Sequence, residues 1–141
     1  MILFIDDEPR YIKNFVEDLE LTLVGHGDIR VVDRVDEALS LIARLNERGS
    51  LPELIILDIM MAPYNSFTTE ETNGGIRTGL ALFDKIKHVC PILIFTNVGD
   101  ASVKKTFEDQ GCLYVKKPDV LPHEFSALVR NILKEHRGGK K

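Results

Sequence analysis

The sequence predicts an α/β fold, a doubly wound parallel sheet with helices on both faces. Short unbroken apolar runs recur along the chain, and each run ends on or next to a polar residue. Stretches with apolar residues near i, i+3, i+4 and i+7 lie between most of them. Continuous rather than alternating apolar runs mark strands buried on both faces, which is the habit of parallel sheets. Right-handed crossovers then leave only a few strand orders.

Met1–Ile5 is the first run, cut off at once by Asp6-Asp7-Glu8-Pro9. Pro9 suits the first turn of a helix, where its missing N–H costs nothing. Ile12, Phe15, Val16 and Leu19 follow on one helical face. Leu21–Gly27 is ambiguous, and Ile29–Asp33 is a short strand whose polar interruptions place it at a sheet edge. Ala38, Leu41, Ile42 and Leu45 form a second stripe, ended by Gly49 and Pro52. Glu53–Asp58 is a third strand, apolar until its closing carboxylate.

The stretch Met60–Gly75 shows no periodicity and is rich in Pro63, Asn65, Ser66, Asn73, Gly74 and Gly75. It exceeds the about 2–6 residues usual between strand and helix. Leu80, Phe83 and Ile86 predict a third helix, stopped by Pro91. Ile92–Phe95 is the fourth strand, closing on Thr96-Asn97, and Val103–Gln110 a short, mostly polar helix. Leu113–Val115 is the fifth strand, running into Lys116-Lys117-Pro118. Phe125, Leu128, Val129, Ile132 and Leu133 give the clearest helical face. Residues 1–136 are expected to form one domain and 137–141 a frayed tail.

The 141 residues suffice for one hydrophobic core, and 18 Lys+Arg against 22 Asp+Glu leave a net charge of −4. That balance gives no electrostatic reason to expect nucleic acid as a partner. No apolar run approaches the about 20 residues that cross a bilayer. Acidic residues directly behind Ile5 do not fit a signal peptide. A cytoplasmic protein is expected, with no direct contact to nucleic acid or membrane. Cys90 and Cys112 precede the fourth and fifth strands and are expected as free thiols. His26, His88, His123 and His136 show no ligand spacing.

In an open parallel sheet, ligands bind beyond the carboxyl ends of the strands. The residues at those ends are Asp6 and Asp7, Asp58, Thr96 and Lys117. One such Asp is commonly a helix cap; carboxylates, a hydroxyl and an ammonium at four strand ends are a site. Two carboxylates about 4 Å apart repel by about 4 kcal/mol at an effective dielectric of 20. A hard divalent cation relieves that strain, and Mg²⁺ suits one or two carboxylates plus waters and a phosphoryl oxygen.

This pattern resembles the receiver domain of bacterial two-component response regulators over nearly the whole chain. The residues that carry the likeness are Asp6-Asp7 behind an apolar strand, Asp58 ending Leu-Ile-Ile-Leu-Asp, Thr96 ending Ile-Leu-Ile-Phe-Thr, and Tyr114-Val-Lys-Lys117-Pro118. The resemblance implies a flavodoxin-like fold with strand order 2-1-3-4-5. It implies that Asp58 accepts a phosphoryl group from a sensor histidine kinase or a phosphotransfer protein. Mg²⁺, with Mn²⁺ as a substitute, is then held by Asp7 directly, Asp6 through water, Asp58, and the backbone carbonyl of Met60. Lys117, placed directly before Pro118 and often across a cis bond in that family, neutralises the transferring group. Thr96 is expected to donate to the phosphoryl oxygen only after Asp58 is modified, with Tyr114 then moving inward and altering a surface read by a downstream protein. A monomer or a phosphorylation-dependent homodimer follows from the same likeness.

Two features depart from the family. Asn97 stands where a small residue is usual, so it is expected to narrow access and slow both loading and hydrolysis. Met60–Gly75 is long and carries Glu70 and Glu71, with Arg77 beyond; neither glutamate is assigned to the metal. No segment after the fifth helix suffices for an output domain, so a stand-alone switch is expected unless the chain is a piece of a longer regulator. An aspartate-nucleophile phosphatase of the haloacid dehalogenase type fits worse. It wants Asp-x-Asp after the first strand, where this chain has Asp6-Asp7-Glu8, and it leaves Asp58 unexplained. A receiver-like binding module without phosphoryl turnover is the other alternative.

Overall fold

The computed structural model describes residues 1–25, 27–59 and 78–138. Five strands alternate with helices: β1 Ile2–Ile5, α1 Lys13–Thr22, β2 Ile29–Val32, α2 Val35–Glu47, β3 Leu54–Leu57, α3 Thr78–Ile86, β4 Ile92–Thr96, α4 Ala101–Glu108, β5 Leu113–Lys116 and α5 Pro122–Gly138. The sheet is all-parallel in the order β2-β1-β3-β4-β5. This is the flavodoxin-like order that the resemblance implied.

Every residue of β1, β3 and β4 is buried, whereas the edge strands β2 and β5 are only partly so. Strand side chains alternate between faces. Leu3, Ile5, Ile55, Leu57 and Ile94 pack with α2, α3 and α4, while Phe4, Ile56, Leu93 and Phe95 pack with α1 and α5. On the second face Phe95 stacks on Phe125 at a ring distance of 4.2 Å, and Phe15 meets both rings edge-on at 5.0 and 5.7 Å. These rings pin α1 and α5 beneath the carboxyl end of β4.

Three local details were not read from the sequence. Pro9 opens a 3-10 turn, Pro9–Tyr11, rather than α1 itself. Tyr11 N–H donates to Glu8 O and Ile12 N–H to Pro9 O, which tightens the chain by i to i+3 bonds before Lys13 begins the α-helix. The ambiguous stretch after Leu21 resolves as the end of α1 and a turn, with Gly25 at φ +86°. The cap of α4 is Asp100, whose carboxylate accepts from the N–H groups of Ser102 and Val103 at 2.8 and 3.3 Å.

At the amino end of the strands, Cys90 and Cys112 are free and line one cavity of about 380 Å³. Burial pushes the Cys90 thiol up to about 12 and raises Cys112 as well, so both stay protonated at neutral pH. No helix among the described residues is long and apolar enough to cross a membrane. Met60, Glu70, Glu71, Arg77 and His26 lie outside the described residues.

One close approach sets the exit of β3. Gly79 N–H donates to Ile59 O at 3.0 Å. A Cβ at residue 79 would stand 2.1 Å from Ile59 Cα and 2.8 Å from Asp58 O. Only glycine lets α3 begin against that backbone. Gly79→Ala is expected to lower stability by at least about 2 kcal/mol, the scale of overpacking strain, in urea unfolding. An unchanged midpoint would contradict the close approach.

Candidate functional site

The parallel register delivers the strand ends to one place. Asp58 N–H donates to Ile5 O and Asp6 N–H to Val32 O, so the residues that follow β1 and β3 sit side by side. Carboxylate oxygens of Asp6, Asp7 and Asp58 all lie within 4.8 Å of one another. Asp6 is fully buried, Asp58 nearly so, and Asp7 is half-buried.

Lys117 reaches into this cluster from the end of β5. Its Nζ lies 2.7 Å from Asp6 Oδ2 and 3.1 Å from Asp58 Oδ2. Lys116 goes elsewhere: its Nζ sits 3.4 Å from where a Cβ on Gly99 would be. No cis peptide occurs among the described residues. The Lys117–Pro118 bond is therefore trans, unlike the arrangement often found in the family. Lys117 instead opens a 3-10 turn, Lys117–Asp119, directly after the strand.

The carboxylates differ in their remaining contacts. Asp6 Oδ1 accepts from Glu8 N–H at 2.9 Å, so both its oxygens are engaged. Asp58 Oδ1 accepts from the Thr96 hydroxyl at 2.6 Å. Thr96 Oγ1 accepts from Val98 N–H at 3.4 Å, and Val98 O accepts from the Tyr114 hydroxyl at 2.6 Å. A continuous hydrogen-bonded chain thus joins Asp58 to Tyr114. Thr96 bonds the Asp58 carboxylate, and Tyr114 is buried at 9% exposure. A buried carboxylate needs donors, and the hydroxyl ending the neighbouring strand is the near one.

The charges are tuned by this crowding. Burial and the Asp58 charge raise the Asp6 carboxyl above its ordinary range, against the pull of Lys117. Burial works against the Lys117 ammonium, but Asp58 and Asp6 outweigh it and hold its pKa above the usual lysine value. Burial, helped by Asp58 and Asp100, pushes the Tyr114 phenol up to about 12.

Two of the three carboxylates share the Lys117 ammonium, and hard oxygen donors clustered this closely fit Mg²⁺ or Mn²⁺. Asp6 has both oxygens committed, while Asp7 stands nearer solvent; that favours Asp7 as the direct ligand and Asp6 through water. The Met60 carbonyl, the fourth expected ligand, falls outside the described residues. Above Asp58 opens a cavity of about 300 Å³ lined by Glu8, Tyr11, Asn97 and Lys117. Sequence reasoning placed Asn97 at this mouth but missed Tyr11, the Glu8 N–H, Val98 O and Gly79. Backbone donors and acceptors leave no residue-type signal, and a single glycine ahead of an apolar stripe is a weak one.

No protein-family model matches the chain. No curated protein matches it either. Solved structures do. A CheY-like response regulator receiver domain protein from Methanospirillum hungatei JF-1 superimposes with a TM-score of 0.71 at 18% identity, over 98% of this chain and 96% of that one. A response regulator receiver domain protein from Clostridium thermocellum gives 0.69 at 21%, over 96% and 95%. The receiver domain of Francisella response regulator 1452 gives 0.66 at 23%, over 95% and 96%. At such identities the likeness shows the fold: this chain has the architecture of CheY-like receiver domains from end to end.

Lys117→Met is expected to cost about 3–5 kcal/mol, because it leaves two buried carboxylates without their cation. Lys116→Met is expected to cost under about 1 kcal/mol. Equal losses for the two variants in urea unfolding would refute the assignment of the buried ammonium to Lys117.

Proposed function

We propose that this chain is a response-regulator receiver domain, in which Asp58 accepts a phosphoryl group and the change alters a protein-interaction surface. The observation that carries the reading is the surroundings of Asp58. Lys117 and Thr96 address its two oxygens, and two further carboxylates lie within 4.8 Å. Nothing about a structural capping aspartate requires that set.

The donor is a phosphohistidine on a sensor histidine kinase or phosphotransfer protein. An Asp58 oxygen attacks phosphorus, the P–N bond breaks, and the leaving imidazole takes up a proton. Lys117 moves its ammonium from the bare carboxylate to the phosphoryl oxygens, where charge develops in transfer. Asp7 and Asp58, with Asp6 through water, would hold Mg²⁺, and when bound it neutralises the other side of the transferring group. Thr96 then exchanges a carboxylate acceptor for a phosphoryl oxygen.

Because Thr96, Val98 and Tyr114 are already linked, modification strengthens an existing chain rather than assembling one. Such a bias shifts populations between packings of β4, β5 and α4. The output is a protein contact, made by a monomer or by a homodimer that forms on phosphorylation. A cytoplasmic setting, where such kinases act, suits the two free thiols.

A second reading, a binding module without turnover, is favoured by one observation: Asn97, together with Glu8 and Tyr11, lines the cavity above Asp58. Both readings are separated by intact-mass spectrometry after incubation with acetyl phosphate. The receiver reading expects one phosphoryl adduct that requires Mg²⁺ and is lost in Asp58→Asn. Asn97→Ala is expected to load and lose the group several-fold faster. Absence of an adduct on folded wild-type and Asn97→Ala protein alike would sink the turnover reading.

A further inference from the structure

The geometry points to a peptide-docking edge at β2: an extended segment of a partner protein, acidic on one face and apolar on the other, adds there as a sixth strand. β2 is the terminal strand of the sheet, and its inner side is paired to β1 through Asp28 O and Val32 O. Backbone groups alternate along a strand, so Ile29 and Val31 turn their N–H and C=O groups to the open side. No described strand lies beyond them. Such an edge is a template for main-chain pairing.

The two faces of this edge differ in chemistry. Towards α2, a cavity of about 390 Å³ is lined by Arg30, Arg34 and Arg44, with Ser40 and the acidic Asp36 and Glu37. Arg34 pairs with Asp36 at 3.1 Å. Among the described residues, the Arg30 and Arg44 side chains make no ion pair or hydrogen bond. The fork geometry of their guanidiniums matches carboxylates. Towards α1, Val31 is 38% and Val24 is 74% exposed. Val24, Leu23 and Ile29 share a second cavity of about 450 Å³ with Glu20, Asp28 and Arg30.

An added strand presents alternate residues to these two sides. Its acidic side chains would meet Arg30 and Arg44, and its apolar ones Val31 and Val24. A second copy of this chain is disfavoured as the occupant. Antiparallel β2–β2 pairing that extends the sheet keeps the α2 faces on one side and brings the arginines of both copies together, and like charges across a strand pair repel. This inference does not rest on the phosphoryl chemistry proposed at Asp58.

Fluorescence anisotropy with labelled peptides of about ten residues tests it, using the full chain. The probes alternate glutamate with valine or isoleucine; controls replace glutamate by lysine, or N-methylate alternate backbone nitrogens. The acidic peptide is expected to bind with salt-sensitive affinity, weakened about tenfold or more by backbone methylation, by Arg30→Glu with Arg44→Glu, and by Val31→Pro. The double arginine variant is expected to gain binding to the lysine peptide. Amide shifts in NMR are expected to centre on Ile29, Val31 and Asp33. No binding of the acidic peptide, or equal binding of its N-methylated form, overturns the proposal. So does a concentration-dependent dimer that Val31→Pro abolishes, since the edge would then belong to a second copy.

Discussion

The arrangement at the carboxyl end of the sheet depends on one ammonium shared by two buried carboxylates. Asp6 and Asp58 follow adjacent strands, so the fold forces them together whatever their charge. Lys117 follows β5, two strands from β3, which at about 4.8 Å per strand is about 10 Å away. Only a long, flexible cation crosses that span, and it crosses over β4. Thr96 at the end of β4 is small enough to let it pass, and the Phe95 ring lies 6.0 Å from its Nζ. The small residue on β4 and the long one on β5 are thus parts of one solution.

That solution puts two carboxylates on one ammonium, with an oxygen of Asp7 within 4.8 Å of theirs. Hard oxygen donors gathered this closely suit a divalent ion. The hydrogen bonds from Asp58 through Thr96 and Val98 end on the buried Tyr114, whose ring lies 6.1 Å from that of Phe107 in α4.

The core strands were legible because burial on both faces demands unbroken apolar runs, and β1, β3 and β4 carry them. Asp6, Asp58, Thr96 and Lys117 were legible for a related reason, as polar residues abruptly ending such runs. What was not legible arises from backbone geometry. The 3-10 turn at Pro9 and the trans bond before Pro118 are choices between conformers that the same residues allow. The Thr96–Asp58 and Tyr114–Val98 bonds were not read, since residue types do not tell which acceptor a hydroxyl finds. Asp100 was not read as a cap because the apolar spacing of the helix becomes visible only at Val103, three residues beyond it.

The bond between Gly79 N–H and Ile59 O brings the chain back, at the start of α3, to the point where it left the end of β3. Whatever lies between is topologically a closed detour, tied off at its base. The backbone just past Asp58 is therefore tied to a point twenty residues further along the chain. A strain applied at the first turn of α3 is felt directly behind the Asp58 carboxylate, and a change at Asp58 is felt in turn where α3 begins.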